Sequence, residues 1–287
     1  MEPSSSILNN KKLQAWLMLA LLVAMVVVGL LFPASWRLEM WLVLLVLILG
    51  FTVLAGYIIT ERIWGVLIDA RNRFSLSRLQ ILGWTVLVLS GYLAAATFNL
   101  RAGLEDPLAI AIPEQLWILM GISTTSFIGS PLLLSVKATR NADRGQFKRT
   151  LELLPNEAVE HTANCETLDD ETRPVGMVLE NNTPKAAAWT DLFQGEETGN
   201  GAHLDLARVQ MFFFTLILLI VYAVSLGQSF MEGEGTITAF PIVHDSMIVL
   251  LGISHTGYLG GKMLPHSKEE SPAAGGRNTR RPVEEDQ

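Results

Sequence analysis

The sequence predicts an all-α membrane protein with six transmembrane helices, a duplicated two-helix hairpin (spans 3-4 and 5-6) and a small cytoplasmic insertion. Three observations predict it. Half of the 287 residues are hydrophobic and only 17% are charged, whereas a soluble domain carries about 25% charged residues; the mean hydropathy is +0.36. Six apolar segments approach the roughly 20 residues that a helix needs to cross a bilayer. A sequence pattern recurs 130 residues apart. The same composition excludes a soluble fold, a disordered chain and a disulfide-stapled module. The single Cys cannot form an intramolecular bridge and leaves the redox compartment unread. A net charge of -7 argues against nucleic acid as a partner.

The expected spans are Leu13–Phe32, Met40–Ile59, Leu79–Phe98, Leu116–Val136, Val209–Leu226 and Ile242–Leu264. The first follows Lys11 and Lys12 and has a signal-peptide look, but its apolar run is longer than an h-region, so it reads as a retained anchor. The fifth is short and made apolar by Phe212, Phe213 and Phe214. The sixth carries His244 and Asp245 near its start and His255 inside, which leaves its first residue open.

Lys and Arg counts set the direction. With six spans both termini share one side, and that side takes every Lys and Arg except Arg37 and Arg101, 19 of 21. Both termini are therefore expected in the cytoplasm of a cell with an inner membrane, and the opposite loops are acidic.

Ser75-Leu-Ser-Arg-Leu-Gln80 opens span three and Asp205-Leu-Ala-Arg-Val-Gln210 opens span five. The match runs on through Thr85 with Thr215, Leu89 with Leu219 and Tyr92 with Tyr222. In spans four and six, Leu119-Met-Gly-Ile-Ser-Thr-Thr125 faces Leu250-Leu-Gly-Ile-Ser-His-Thr256, and Gly129 faces Gly260. Leu and Ile matches are cheap between apolar helices; paired Arg, Gln, Thr, Tyr and Gly at one register are not. Each copy is a two-span hairpin, so the copies run parallel, as repeats related by an axis along the membrane normal do. The expected organisation is 1–60 (two N-terminal helices), 61–136 (first hairpin with a connector), 137–204 (insertion), 205–264 (second hairpin) and 265–287 (disordered tail).

The repeat marks candidate residues. Gly121, Thr125 and Gly129, matched by Gly252, Thr256 and Gly260, form small-residue stripes that let helices pack closely in lipid; lining a pore or solute path is the alternative. Ser75 and Asp205 stand at N-cap positions. Arg78, Gln80, Arg208 and Gln210 read as inner-face anchors, the arginines at headgroup depth on anionic lipid, with a gating or ligand role for the arginines as the alternative.

In the insertion, Phe147–Leu154 reads as a short helix and Ala186–Phe193 as helix-like. Arg173–Leu179 reads as a strand that could pair with Val66–Asp69. The stretch Gln194–Ala202 reads as loop, and Asp191, Glu196 and Glu197 as a solvated acidic surface, with a divalent-cation site as the alternative. Motifs for metalloprotease, serine hydrolase, nucleotide or dinucleotide sites are absent. The pair His161 and Cys165 is weak as a metal site, so neither metal nor cofactor is expected.

Ionisable groups inside a membrane are the default functional candidates. His255, in the place of Thr124 of the first copy, either relays protons or holds a neighbouring helix. Ser123, Thr124, Thr125 and Thr256 with His255 are the candidate lining of a conduit, although Ser and Thr more commonly bond their own helix carbonyls. Pro131 is expected to kink the inner end of span four.

Three segments, Gly65-Val-Leu-Ile-Asp-Ala-Arg-Asn-Arg-Phe-Ser-Leu-Ser-Arg-Leu-Gln80, Asp191-Leu-Phe-Gln-Gly-Glu-Glu197 and Leu250-Leu-Gly-Ile-Ser-His-Thr-Gly-Tyr258, resemble a group of uncharacterised bacterial multipass membrane proteins. The resemblance implies no activity. The functional expectation is a non-enzymatic signalling or scaffold component with the lipid bilayer, a cytoplasmic protein and a second copy of itself as partners. The alternative is an oligomeric channel or transporter.

Overall fold

The structure is a computed structural model that describes residues 10–153, 172–232 and 235–269. Among these the protein is mostly helical. The helices are α1 (Lys11–Leu31), α2 (Arg37–Thr60), α3 (Leu76–Arg101), α4 (Glu114–Ala138), α5 (Arg144–Leu153), α6 (Leu206–Glu232) and α7 (Asp245–Met263). Five of them, α1, α2, α3, α4 and α6, are long and apolar enough to cross a membrane. α7 is not among these five: Ser246, Ser254, His255, Thr256 and Lys262 dilute its apolar run.

Capping accounts for several boundaries. The Asn10 carboxamide accepts from the Lys12 amide at 3.0 Å, and the Asp205 carboxylate accepts from the Ala207 and Arg208 amides. The His244 ring accepts from the Ser246 amide and starts α7 at Asp245. α4 begins directly after Pro113 and continues as helix through Pro131 to Ala138.

α3, α4, α7 and α6 form a ring in which each packs on the next and α6 returns to α3. The hairpins α3–α4 and α6–α7 thus lie side by side. α2 packs on α3 and α6, and α1 covers α2 and α3. The core joins Trp41, Leu44, Trp84, Leu119, Tyr222, Phe230 and Leu251. Trp41 stacks on Phe230 at 5.5 Å and donates its indole N–H to Ser90 at 3.1 Å. α2 approaches the connector closely: a Cβ on Gly56 would lie 2.3 Å from the Val66 amide nitrogen. At the far end, Ala111 and Ala239 form a parallel bridge between the two short loops, and the Asn99 carboxamide bonds both backbone groups of Ile237.

The insertion departs from expectation in its pairing. β1 (Thr172–Val175) and β2 (Val178–Asn181) pair with each other, antiparallel. Gly176, at φ +59, permits the tight turn between them. Val66–Asp69 is no strand partner; its start is a 3₁₀ turn (Gly65–Leu67), and Ile68 bridges to Phe74. The hairpin docks instead through Asn181 on Arg71 and Asn72. The Ala186–Phe193 region is not one helix but two 3₁₀ turns, Pro184–Ala186 and Trp189–Leu192, separated by the extended Ala187 and Ala188. The helix expected from Phe147 starts earlier, at Arg144. His161 and Cys165 lie outside the described residues. The start of the tail is ordered: Ser267 is buried, and Lys268 bonds Asp143 and Gln146 through its backbone.

Candidate functional site

The acidic stretch expected to be solvated is buried. Asp191, Glu196 and Glu197 are 6, 7 and 3% exposed, and each holds a cation. A buried carboxylate without a partner would surrender its charge; here every one is paired. Arg73 bonds Asp191 at 2.8 Å, and the second Asp191 oxygen accepts from the Phe74 and Ala188 amides. Glu197 takes Lys137 on one oxygen and the His266 and Ser267 amides on the other.

Glu196 is the centre. Its Oε1 meets Arg71 at 2.6 Å and Arg208 at 3.3 Å, and its Oε2 meets Lys262. Burial opposes ionisation of Glu196, but Lys262, Arg208 and Arg71 outweigh it and hold the carboxyl well below its ordinary value. Burial likewise opposes the charge on Arg71, and Glu196 and Asp69 overcome it, so that its guanidinium is held more firmly charged than usual. The loop therefore ties together the connector (Arg71, Arg73), α4 (Lys137), α6 (Arg208) and α7 (Lys262). We term this arrangement the clamp.

Above the clamp runs a buried polar thread. Lys262 donates to Ser130 and lies 4.5 Å from the Tyr258 ring centre. The Tyr258 hydroxyl is within hydrogen-bond reach of Ser130 at 3.3 Å and Ser77 at 3.4 Å. One turn further, His255 contacts Gln80 through Nε2 and Ser126 through Nδ1, both at 2.5 Å. On α7 these residues fall at i, i+3 and i+7, one helix face; on α4, Ser123, Ser126 and Ser130 do the same.

The candidate conduit residues are separated by this geometry. Ser123 and His255 are buried, whereas Thr124, Thr125 and Thr256 are exposed and bond the carbonyls of Met120, Gly121 and Gly252. Ser123 bonds the Leu119 carbonyl at 2.9 Å. The glycine stripes are not close contacts within the chain. A Cβ on Gly121 or Gly260 would meet nothing within 4 Å, one on Gly252 only Ile122 at 3.9 Å, and one on Gly129 only Leu259 at 3.6 Å.

Arg208 is not at a lipid-facing position. It is 1% exposed and also donates to the Leu192 and Gln194 carbonyls, because the insertion folds back over the start of α6. Gln80 is fully buried against His255, while Gln210, which stands at the matching position of the recurring sequence pattern, is exposed. Arg78 is half-buried and donates weakly to the Val66 carbonyl at 3.5 Å.

The arrangement binds helices together; among the described residues no cluster of three metal-ligating side chains occurs. Of the likeness to multipass membrane proteins, the coarse part stands, namely several helices apolar enough to span a membrane. No family model matches the chain, and no curated protein or solved structure matches it either.

Proposed function

We propose that the protein is a six-span inner-membrane component, non-enzymatic, that links the position of its helices to a cytoplasmic partner through the insertion. The observation that carries this reading is the clamp: one loop holds the connector, α4, α6 and α7 through Glu196, Glu197 and Asp191. A force on the insertion therefore reaches four elements at once, and a shift of α7 against α6 must break or remake buried ion pairs. Packed interfaces of this kind switch between discrete arrangements rather than deform smoothly.

The sixth span is supported by α7's neighbours. Its first residue, Asp245, accepts from Gln115 at the start of α4, and Lys137 near the end of α4 donates to the Leu264 carbonyl. α7 thus runs the length of α4, itself apolar enough to span. The duplication is supported by the side-by-side hairpins and the parallel bridge between their loops.

A conduit is the rival reading, and the test separates the two. Purified protein is reconstituted in liposomes and ion flux is measured across pH and salt gradients. Folded, inserted protein that passes nothing agrees with the proposal. Flux that vanishes with Ser123→Ala or His255→Ala establishes a conduit instead.

A further inference from the structure

A groove of about 660 Å³ opens between the start of α3, the second half of α4 and the β-hairpin. Its wall changes character along its length. Phe127, Ile128 and Leu132 make one end apolar; Ser75, Arg78, Arg71 and Asp69 make the other polar. Between Phe127 and Ala138 the α4 wall extends about 16 Å at 1.5 Å per residue. The gradient therefore runs along two helices that are each apolar enough to span a membrane, from membrane depth to the surface.

The charges in this wall do not cancel everywhere. Asp69 is held by Arg71, which also meets Glu196, and Glu180 is held by Arg173. Arg78 has no carboxylate partner among the described residues. It lies in the first turn of α3, where the helix end is itself positive, so intrahelical electrostatics disfavour it there. Ser75, the N-cap residue, makes no side-chain capping bond and faces the same groove. An uncompensated cation, a helix start and a hydroxyl at the polar end together ask for an anion; the apolar end asks for hydrocarbon.

We propose that this groove binds an anionic phospholipid, with the phosphate at Arg78 and Ser75 and an acyl chain along Phe127, Ile128 and Leu132. The proposal rests only on α3 and α4 being spans. It is independent of the sixth span and of the clamp's role.

The test uses the full-length protein in detergent and native mass spectrometry with phosphatidylglycerol and phosphatidylcholine of equal chain length. Wild type should retain phosphatidylglycerol about fivefold better, the worth of one arginine at a membrane surface. Arg78→Gln should remove that preference and Arg78→Lys should keep it. Leu132→Trp, which fills the apolar end, should lower retention of both lipids. Equal retention by wild type, an unchanged preference in Arg78→Gln, or displacement of the lipid by soluble glycerol phosphate would each overturn the proposal. The last outcome would make the groove a site for free phosphate. If Arg78→Gln does not fold, Arg78→Lys and Leu132→Trp still decide the matter. Failure of the functional proposal is read elsewhere, in ion flux.

Discussion

Glu196 is one carboxylate facing three cations, and its removal is not a neutral deletion. Breaking a buried pair by deleting one partner costs about 3–5 kcal/mol, because the remaining charge stays desolvated. Glu196→Gln is therefore expected to lower the thermal midpoint in detergent sharply, while Glu180→Gln, whose Arg173 partner is exposed, should have almost no effect. Equal midpoints would remove Glu196 from the centre of the clamp. The pH dependence has a definite sign. Glu196 is held below the ordinary 4.5 in the folded protein, so its stabilisation is fully present above that value and is lost as pH falls toward the folded-state value. The gap between wild type and Glu196→Gln should stay constant from neutral pH down to about 5 and then close. These residues were visible in the sequence, but their role was not. Arg208 and Lys262 satisfied the positive-inside pattern, and Glu196 and Glu197 sat among glycines, so each had a sufficient local explanation. What the sequence lacked was the fold-back of the insertion, which makes the two sets meet.

Helices were legible and their contacts less so. Hydropathy located α1 to α4 within a few residues, and α6 except for its last six, because a span must be continuously apolar. The strand pairing was missed because four-residue segments carry little register information, and the turn at Gly176 fell inside the expected strand. Glycine spacing misled in a similar way: it marked Gly121 and Gly252 as sites of close approach, yet a Cβ would crowd the Val66 backbone at Gly56 and the side chains of Leu219 and Leu226 on α6 at Gly83 and Gly91. The two cases make opposite predictions. Gly56→Ala drives a Cβ against the Val66 backbone, which a rotamer change cannot relieve, and overpacking of this kind costs about 1–3 kcal/mol. Its thermal midpoint should fall. Gly121→Leu should leave the midpoint of the isolated chain unchanged. A change in elution volume with that variant would place a second copy on the α4 face, whereas a fall in its midpoint would mean that α4 packs within the chain more closely than the structure has it.

At the scale of the molecule, the question is whether α7 crosses the membrane, because the side of the C-terminus depends on it. Composition understates α7. His255, Tyr258 and Lys262 are buried against α3, α4 and the insertion, while Ile253, Val249 and Leu250 face outward. A lipid-facing apolar side with a protein-facing polar side is what a span in a bundle needs, since intramembrane polar groups turn toward the interior. The energetic argument agrees: if α7 lay outside the bilayer, Gln80, Ser126 and Ser130 of α3 and α4 would lose their partners inside a hydrocarbon layer. Single cysteines introduced in a Cys165→Ser background test this in intact cells with a membrane-impermeant maleimide. Glu105→Cys, in the loop after α3, should react from outside. Asn10→Cys and His266→Cys should react only after the membrane is opened. Reaction of His266→Cys from outside, with Asn10→Cys still protected, would mean five crossings and would separate Lys262 from the loop that holds it, so the same result would dismantle the clamp.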